Sequence, residues 1–271
     1  MTELQPKADS ATRYIFKTKR KLRLNYALAF IAIAGVFLWA SWGTGFNIPG
    51  LLSGTPLVYA LICRMFPPDL EILSWLLKPT LETIEMALLG TTIPIFFALP
   101  LSFLAAANTG PHRVIIYSAR ALVTACRTVP ELIWALLLVS VVGLGPFPGV
   151  LALTLHTTGS LGKLYYEAVE AVDPGVVEAI ESTGANRFKV IWFGILPTCL
   201  PVMMSTTLWL WEYNNRAATI LGLVGAGGLG LALTHAFQDF RYPEAITCLI
   251  IIVLIVTIVD RISAYLRGRV I

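Results

Sequence analysis

Arg127 and Glu131 stand four residues apart in one long apolar stretch, and Glu212 and Arg216 repeat that spacing in another. Four residues is about one helical turn, so each spacing sets a cation and a carboxylate on one helix face. A third stretch carries His156, Thr157 and Thr158 in succession, and Asn214 and Asn215 sit between the members of the second pair. Ionisable groups within apolar runs are costly, and they face a cavity or one another. Together these residues could line one water-filled path. Arginine supplies fixed planar donors, a neighbouring carboxylate moderates retention, and an imidazole can donate and titrate. Arg127, Glu131, His156, Thr157, Thr158, Glu212, Asn215 and Arg216 are therefore candidates for a translocation path. A plainer reading of the same residues stays open. In it each Arg/Glu pair holds helices in register, and His156 satisfies a neighbour.

Covalent chemistry has less to work with. His112, His156 and His235 are far apart and fit no HExxH pattern, and no GxxxxGK[ST] phosphate loop occurs. Cys63, Cys126, Cys199 and Cys248 are scattered without CxxC spacing, which implies neither a disulfide framework nor a metal site. They read as small core residues. The chain is expected to hold no catalytic site and no metal, so any ATP hydrolysis belongs to another subunit.

The elements that must carry these residues are membrane spans. Of 271 residues, 56% are hydrophobic and 13% charged, with a mean hydropathy of +0.75. A soluble domain has about 25% charged residues. A spanning helix needs roughly 20 apolar residues. Six stretches qualify, at 24–43, 80–107, 115–143, 147–164, 198–221 and 245–266. The first lacks a small-residue cleavage site and is read as a retained helix rather than a signal peptide. The fold class is thus an all-α membrane protein with six transmembrane helices.

Lysine and arginine bias orients it. The first 23 residues hold seven, and Arg261, Arg267 and Arg269 lie at the other end. Both termini are expected in the cytoplasm, with 1–23 a cytoplasmic segment and 24–271 the six-span domain. Within that domain 44–79 and 222–244 lie outside, with only Arg64, Lys78 and Arg241 as basic residues. Residues 55–79 read as a short amphipathic helix on the outer membrane face, since Pro67, Pro68, Asp69 and Glu71 interrupt a span there. The asymmetry accounts for the net charge of +4 without a nucleic-acid partner.

A polar loop at 165–197 separates two of the spans. Asp173-Pro174 fits a helix start, Val176 to Ser182 continue it, and Gly184 permits a sharp turn with positive φ. Phe188 to Leu196 then lead back to the membrane in a second helix, stopped or bent near Pro197. Such a knob presents a stiff surface to a cytoplasmic partner. The order Glu178-Ala179, Gly184, Leu196-Pro197 resembles the "EAA" coupling loop of ABC importer permeases. The third motif position is Ile180 rather than alanine, a departure that implies altered packing.

Two further stretches narrow the resemblance. GLGPFPGVLALTLHTTGSLGKLYYEAVEAVDPG (143–175) and RAATILGLVGAGGLG (216–230), with STGANRF and ILP, are similar to permeases of phosphonate-type importers, phosphite and hypophosphite relatives included. The likeness is densest from Cys126 to Tyr242. It implies the type I importer permease fold in a bacterial cytoplasmic (inner) membrane. It also implies a homodimer of permeases, two ATPase subunits that use ATP and Mg, and one extracytoplasmic binding protein, all among membrane lipid. Glu178, Ala179, Gly184, Leu196 and Pro197 would carry ATPase docking, and this chain would hold no cofactor. A channel or secondary transporter would not need the loop, and paired inverted repeats are not apparent. Gly222, Gly225, Gly227, Gly228 and Gly230 leave two readings open: a re-entrant turn forming an outer gate, or close helix packing.

Overall fold

The computed structural model describes Tyr26 and residues 28–270, which divide into two units between Leu61 and Ile62. The basic segment 1–23 lies outside the described residues, as does the start of the first expected span.

In the first unit, α1 spans Leu28–Gly43 and is apolar but short. Phe30, Trp39 and Trp42 are all exposed on it. An all-round apolar helix suits lipid rather than water. Next comes α2, Ile48–Met65, which runs on into the second unit. It is long and apolar enough to cross a membrane, with its one basic residue, Arg64, in the last turn. The helix expected within 55–79 thus begins and ends earlier, at Ile48 and Met65. Pro67, Pro68, Asp69 and Glu71 come after α2 instead of interrupting it, so the apolar run before them is free to form a full helix.

The second unit continues with α3 Leu73–Ala105, α4 Arg113–Thr128, α5 Glu131–Val142 and α6 Pro146–Glu170. After these come α7 Pro174–Glu181, α8 Arg187–Val190, α9 Leu196–Leu221, α10 Gly228–Gln238 and α11 Tyr242–Val270. Helix α3, 33 residues long, packs along α6, and α9 and α4 flank that pair. Glycine lets the backbones close in. A Cβ at Gly90 would lie 2.6 Å from the Leu153 Cβ, and one at Gly159 would lie 2.5 Å from the Arg127 nitrogen.

Four described helices are long and apolar enough to span, or five if one bent pair is a single span; six were expected. Two expected spans, at 24–43 and 147–164, are not among them, and α2, which was not expected to span, is. Helix α1 is short within the described residues. Helix α6 has 25 residues, but His156, Lys163, Glu167 and Glu170 interrupt its apolar run.

The expected span at 115–143 is the bent pair, α4 and α5, which meet at 83°. Pro130 lacks an N–H and disfavours helical geometry at the residue before it. Val129 accordingly adopts φ −81° and ψ 119°. Pro197 has the opposite outcome. The chain runs helically from Arg187 to Val224, with a π-helical turn at Ile191–Ile195 just before the proline. A proline clashes with the carbonyl four residues back, here that of Phe193, and the wider π turn accommodates it. The expected stop near Pro197 is thus replaced by a continuous helix.

Candidate functional site

The break between α4 and α5 organises the polar centre of the bundle. Glu131 is the first residue of α5, and the turn at Pro130 carries it away from Arg127. The expected i,i+4 pair therefore does not form. Instead the Tyr213 hydroxyl donates to Glu131 Oε1 at 2.8 Å, and Glu131 Oε2 lies 3.7 Å from His156 Nε2. His156 Nδ1 is 3.2 Å from the Val129 carbonyl, and Ser160 Oγ is 3.5 Å from Nε2. The Tyr213 ring stacks between His156 and Trp209, with centroids 6.4 and 6.2 Å away. Tyr213 stands beside Glu212 and Asn214, yet no spacing in the sequence marks it as the partner of a residue 82 positions earlier.

Successive helical residues point about 100° apart, so His156, Thr157 and Thr158 meet different neighbours. Thr157 is fully buried and bonds Asn214, whose Nδ2 also donates to the Gly90 carbonyl at 3.1 Å and Thr91 Oγ1 at 2.8 Å. That node ties α9 to α3 and α6. Thr158 donates to the Thr154 carbonyl and lines an apolar cavity of ≈ 690 Å³ with Phe97, Leu122, Cys126 and Leu138. Asn215 is buried, and neither amide atom has a partner among the described residues.

The second Arg/Glu pair forms as the spacing predicts, with Arg216 3.0 Å from Glu212. It is part of a larger network. Arg216 also meets Asp260 at 3.3 Å, and Arg267 meets Glu212 at 2.8 Å. Asp260 and Arg267 lie on α11, so these four charges staple α9 to α11. Sequence reasoning finds Arg267 only as a topology marker and misses Asp260.

The glycine stretch reverses the chain and packs it tightly. A 3₁₀ turn at Gly222–Val224 precedes Gly225, Gly227 and Gly228, with φ of 88°, 78° and 69°. Side chains of α3 then cap α10: Glu82 Oε2 accepts from the Gly228 N–H at 3.1 Å, and Thr83 Oγ1 accepts from the Leu229 N–H at 2.9 Å. Helix α10 folds back on α9 so closely that a Cβ at Gly222 would lie 2.5 Å from the Leu231 nitrogen, and one at Gly230 would strike the Thr219 carbonyl. Beyond α10, Arg241 binds Asp239 at 2.7 Å and Glu244 at 2.8 Å. The Asp239 hydrogen bond, then the Glu244 contact, raise its pKa above the usual arginine value.

The polar loop has the local geometry its residues specify. Asp173 accepts from the Gly175 N–H at 2.8 Å and starts α7. Gly184 has φ +79°, and Asn186 accepts from the Lys189 N–H at 3.0 Å to start α8. Glu178, Ala179 and Glu181 are exposed, while Val176, Val177 and Ile180 pack inward against the cluster that contains Ile195. Ile180 seats over Gly194, where a Cβ would come within 2.6 Å of its Cδ1. The residue that departs from the motif is thus a packing contact. Leu196 lines an apolar cavity of ≈ 490 Å³, and Pro197 is exposed.

A clamp holds the root of this loop. Glu170, at the end of α6, accepts from the Ala107 N–H at 2.7 Å and pairs with Arg120. Arg120 Nε also donates to the Ala105 carbonyl at 2.8 Å, and its guanidinium lies 5.0 Å above the Tyr166 ring. Asn108 Nδ2 donates to the Val169 carbonyl at 2.8 Å. The turn between α3 and α4 is therefore tied to the point where the loop leaves α6. None of these pairings has a sequence spacing that reveals it.

Apolar helices of spanning length, with ion pairs set between them and a capped loop of short helices, define a polytopic membrane protein. The chain belongs to the binding-protein-dependent transport system inner membrane component family, whose match covers residues 98–271. It is 40% identical over 237 residues to the phosphite transport system permease protein PtxC of Stutzerimonas stutzeri, spanning 87% of this chain and 86% of that protein. It is 39% identical over 217 residues to the phosphate-import permease protein PhnE of Mycolicibacterium smegmatis, spanning 79% of this chain and 41% of that protein. Its fold matches a chain of the MetNI methionine ABC transporter in an inward-facing form, with TM-score 0.64 over 75% of this chain and 99% of that one, at 19% identity. The fold is thus the all-helical importer permease fold that the loop and glycine motifs imply.

Proposed function

We propose that this chain is the permease subunit of an ATP-driven importer of phosphonates, forming the translocation path as a homodimer. The observation that carries the reading is the 40% identity to a phosphite permease over 87% of the chain. Phosphonate, phosphite and phosphate share a tetrahedral phosphorus with anionic oxygens, and that chemistry is what the path must admit. The same relative favours a second reading, a phosphite importer.

In the mechanism we infer, a loaded binding protein docks outside, near the Gly222–Gly230 turn. Two cytoplasmic ATPases bind ATP with Mg and close. The loops move with them, docked through Glu178, Ala179 and Gly184, and the outer gate opens. Hydrolysis resets the path inward. Both termini lie in the cytoplasm, and lipid surrounds the spans. The capped α7, its exposed Glu178 and Ala179, and the clamp at Glu170 support the docking role. Glu131, His156 and Tyr213 support a polar path at the α4–α5 break.

The test is ATP hydrolysis by the reconstituted complex, with the binding protein loaded in turn with 2-aminoethylphosphonate, phosphite, phosphate and methionine. Stimulation by the phosphonate supports the main reading. Stimulation by phosphite alone moves the assignment to the second. Stimulation by methionine alone overturns both.

A further inference from the structure

We propose that Glu131 occupies a binding site for a tetrahedral oxyanion, built by Tyr213, His156 and Ser160, and that the carboxylate must withdraw for the anion to enter. The inference rests on the reading of this chain as a phosphorus-oxyanion permease, and it names the site that reading leaves open.

Tyr213 and His156 face the carboxylate from two helices, and Ser160 stands beside the imidazole. Tyr213 on α9 gives its hydroxyl proton to Oε1 at 2.8 Å. On α6, His156 Nδ1 faces the Val129 carbonyl at 3.2 Å, and a carbonyl only accepts, so Nδ1 carries a proton. Nε2 is left facing Glu131 Oε2 at 3.7 Å and Ser160 Oγ at 3.5 Å. Nε2 thus lies on the carboxylate side of the ring, beyond hydrogen-bond length from Oε2. A phosphonate offers the same donors the same kind of acceptor, two oxygens sharing negative charge on one centre.

The site is also reachable and movable. The His156 and Glu131 side chains are 15% and 16% exposed, so the cluster lies at a surface and not in a sealed core. Glu131 sits on the first turn of α5, where helix polarity favours an anion. Its carboxylate moves with α5, whose only covalent tie to α4 is the extended Val129-Pro130 link. The other charges near Tyr213, Glu212 and Arg216, are paired with each other. Arg127, one turn before the break, is exposed. With Glu131 withdrawn, the Tyr213 hydroxyl and the His156 ring are left without its carboxylate, with the Ser160 hydroxyl beside them. With it in place, the site is filled and an arriving anion is not held.

The test is equilibrium binding of methylphosphonate, monitored by ³¹P NMR, to the full-length permease assembled with its ATPase and without binding protein. Glu131→Ala is expected to bind about 10-fold more tightly than the parent, the gain from freeing one or two charge-assisted hydrogen bonds. Glu131→Gln, which keeps a side chain in place, is expected to show a smaller gain. Adding Tyr213→Phe to Glu131→Ala is expected to remove the gain. A purely structural role for Glu131 predicts loss and never a gain. Unchanged or weaker binding in both Glu131 variants overturns the proposal, as does a gain that survives Tyr213→Phe. Uptake of methylphosphonate and phosphite by the parent complex with loaded binding protein separates the two levels. Uptake without a binding gain sinks this site alone, whereas no uptake of either anion sinks the transport reading and the site with it.

Discussion

At the residue scale, similar glycines carry different constraints. Gly184 and Gly228 both have positive φ, +79° and +69°. A Cβ on Gly184 meets nothing within 4 Å, whereas one on Gly228 lies 2.6 Å from Thr83 Oγ1, which caps α10. Gly184→Ala is expected to cost about 1 kcal/mol from backbone strain alone. Gly228→Ala adds a clash and a lost cap, for about 2–4 kcal/mol in total. Thermal unfolding of the two purified variants checks this, and equal Tm losses would contradict the clash. Asn214→Leu makes a separate case. It strips the Thr91 and Thr157 hydroxyls and the Gly90 carbonyl of their shared donor, at an expected cost of about 1–3 kcal/mol in the same assay. Asp173 and Gly184 were legible in the sequence because cap and turn rules act within a few residues. Tyr213, Asp260 and Glu82 were not, because their partners are set by how helices cross.

At the element scale, the loop must be stiff for the proposed coupling to work. Gly184→Pro sets a φ near −65° where the turn needs +79°. The expected outcome is loss of uptake and ATP hydrolysis that no longer responds to loaded binding protein, with membrane insertion intact. Normal uptake by this variant would remove the coupling role from the loop. The clamp gives a milder lesion. Glu170→Ala frees Arg120 and the Ala107 N–H, and it is expected to lower uptake per ATP hydrolysed more than it lowers assembly with the ATPase. The apolar runs gave most helix positions to within a few residues. They failed where proline acts. Pro130 breaks a run that hydropathy reads as one span, and Pro197 is absorbed into a helix that propensity reads as ending. Neither outcome is decided locally, since each depends on the helices that pack on either side.

At the scale of the whole molecule, the α9–α11 network makes unequal demands on its members. Glu212 serves both Arg216 and Arg267, and its side chain is 14% exposed, against 40% for Asp260. Glu212→Ala leaves two cations without their shared carboxylate and is expected to cost about 3 kcal/mol. Asp260→Ala, more exposed and with Arg216 still held by Glu212, is expected to cost under about 1 kcal/mol. A thermal series that ranks them the other way would show that the pairs do not act through burial.

The π turn at Ile191–Ile195 has a consequence of a different kind. No hinge separates the polar loop from α9, so the rotational phase of every residue on that helix is counted from the loop. Deleting one residue from α9 beyond the turn, between Thr198 and Leu208, shortens the rod by only about 1.5 Å but rotates the remainder of α9 by about 100°. Glu212, Tyr213 and Asn214 would then face away from α11, Glu131 and α3 together. Alignment of the polar centre is thus a matter of torsional timing, and a twist applied at the loop reaches the middle of the bundle as a change of facing rather than of distance.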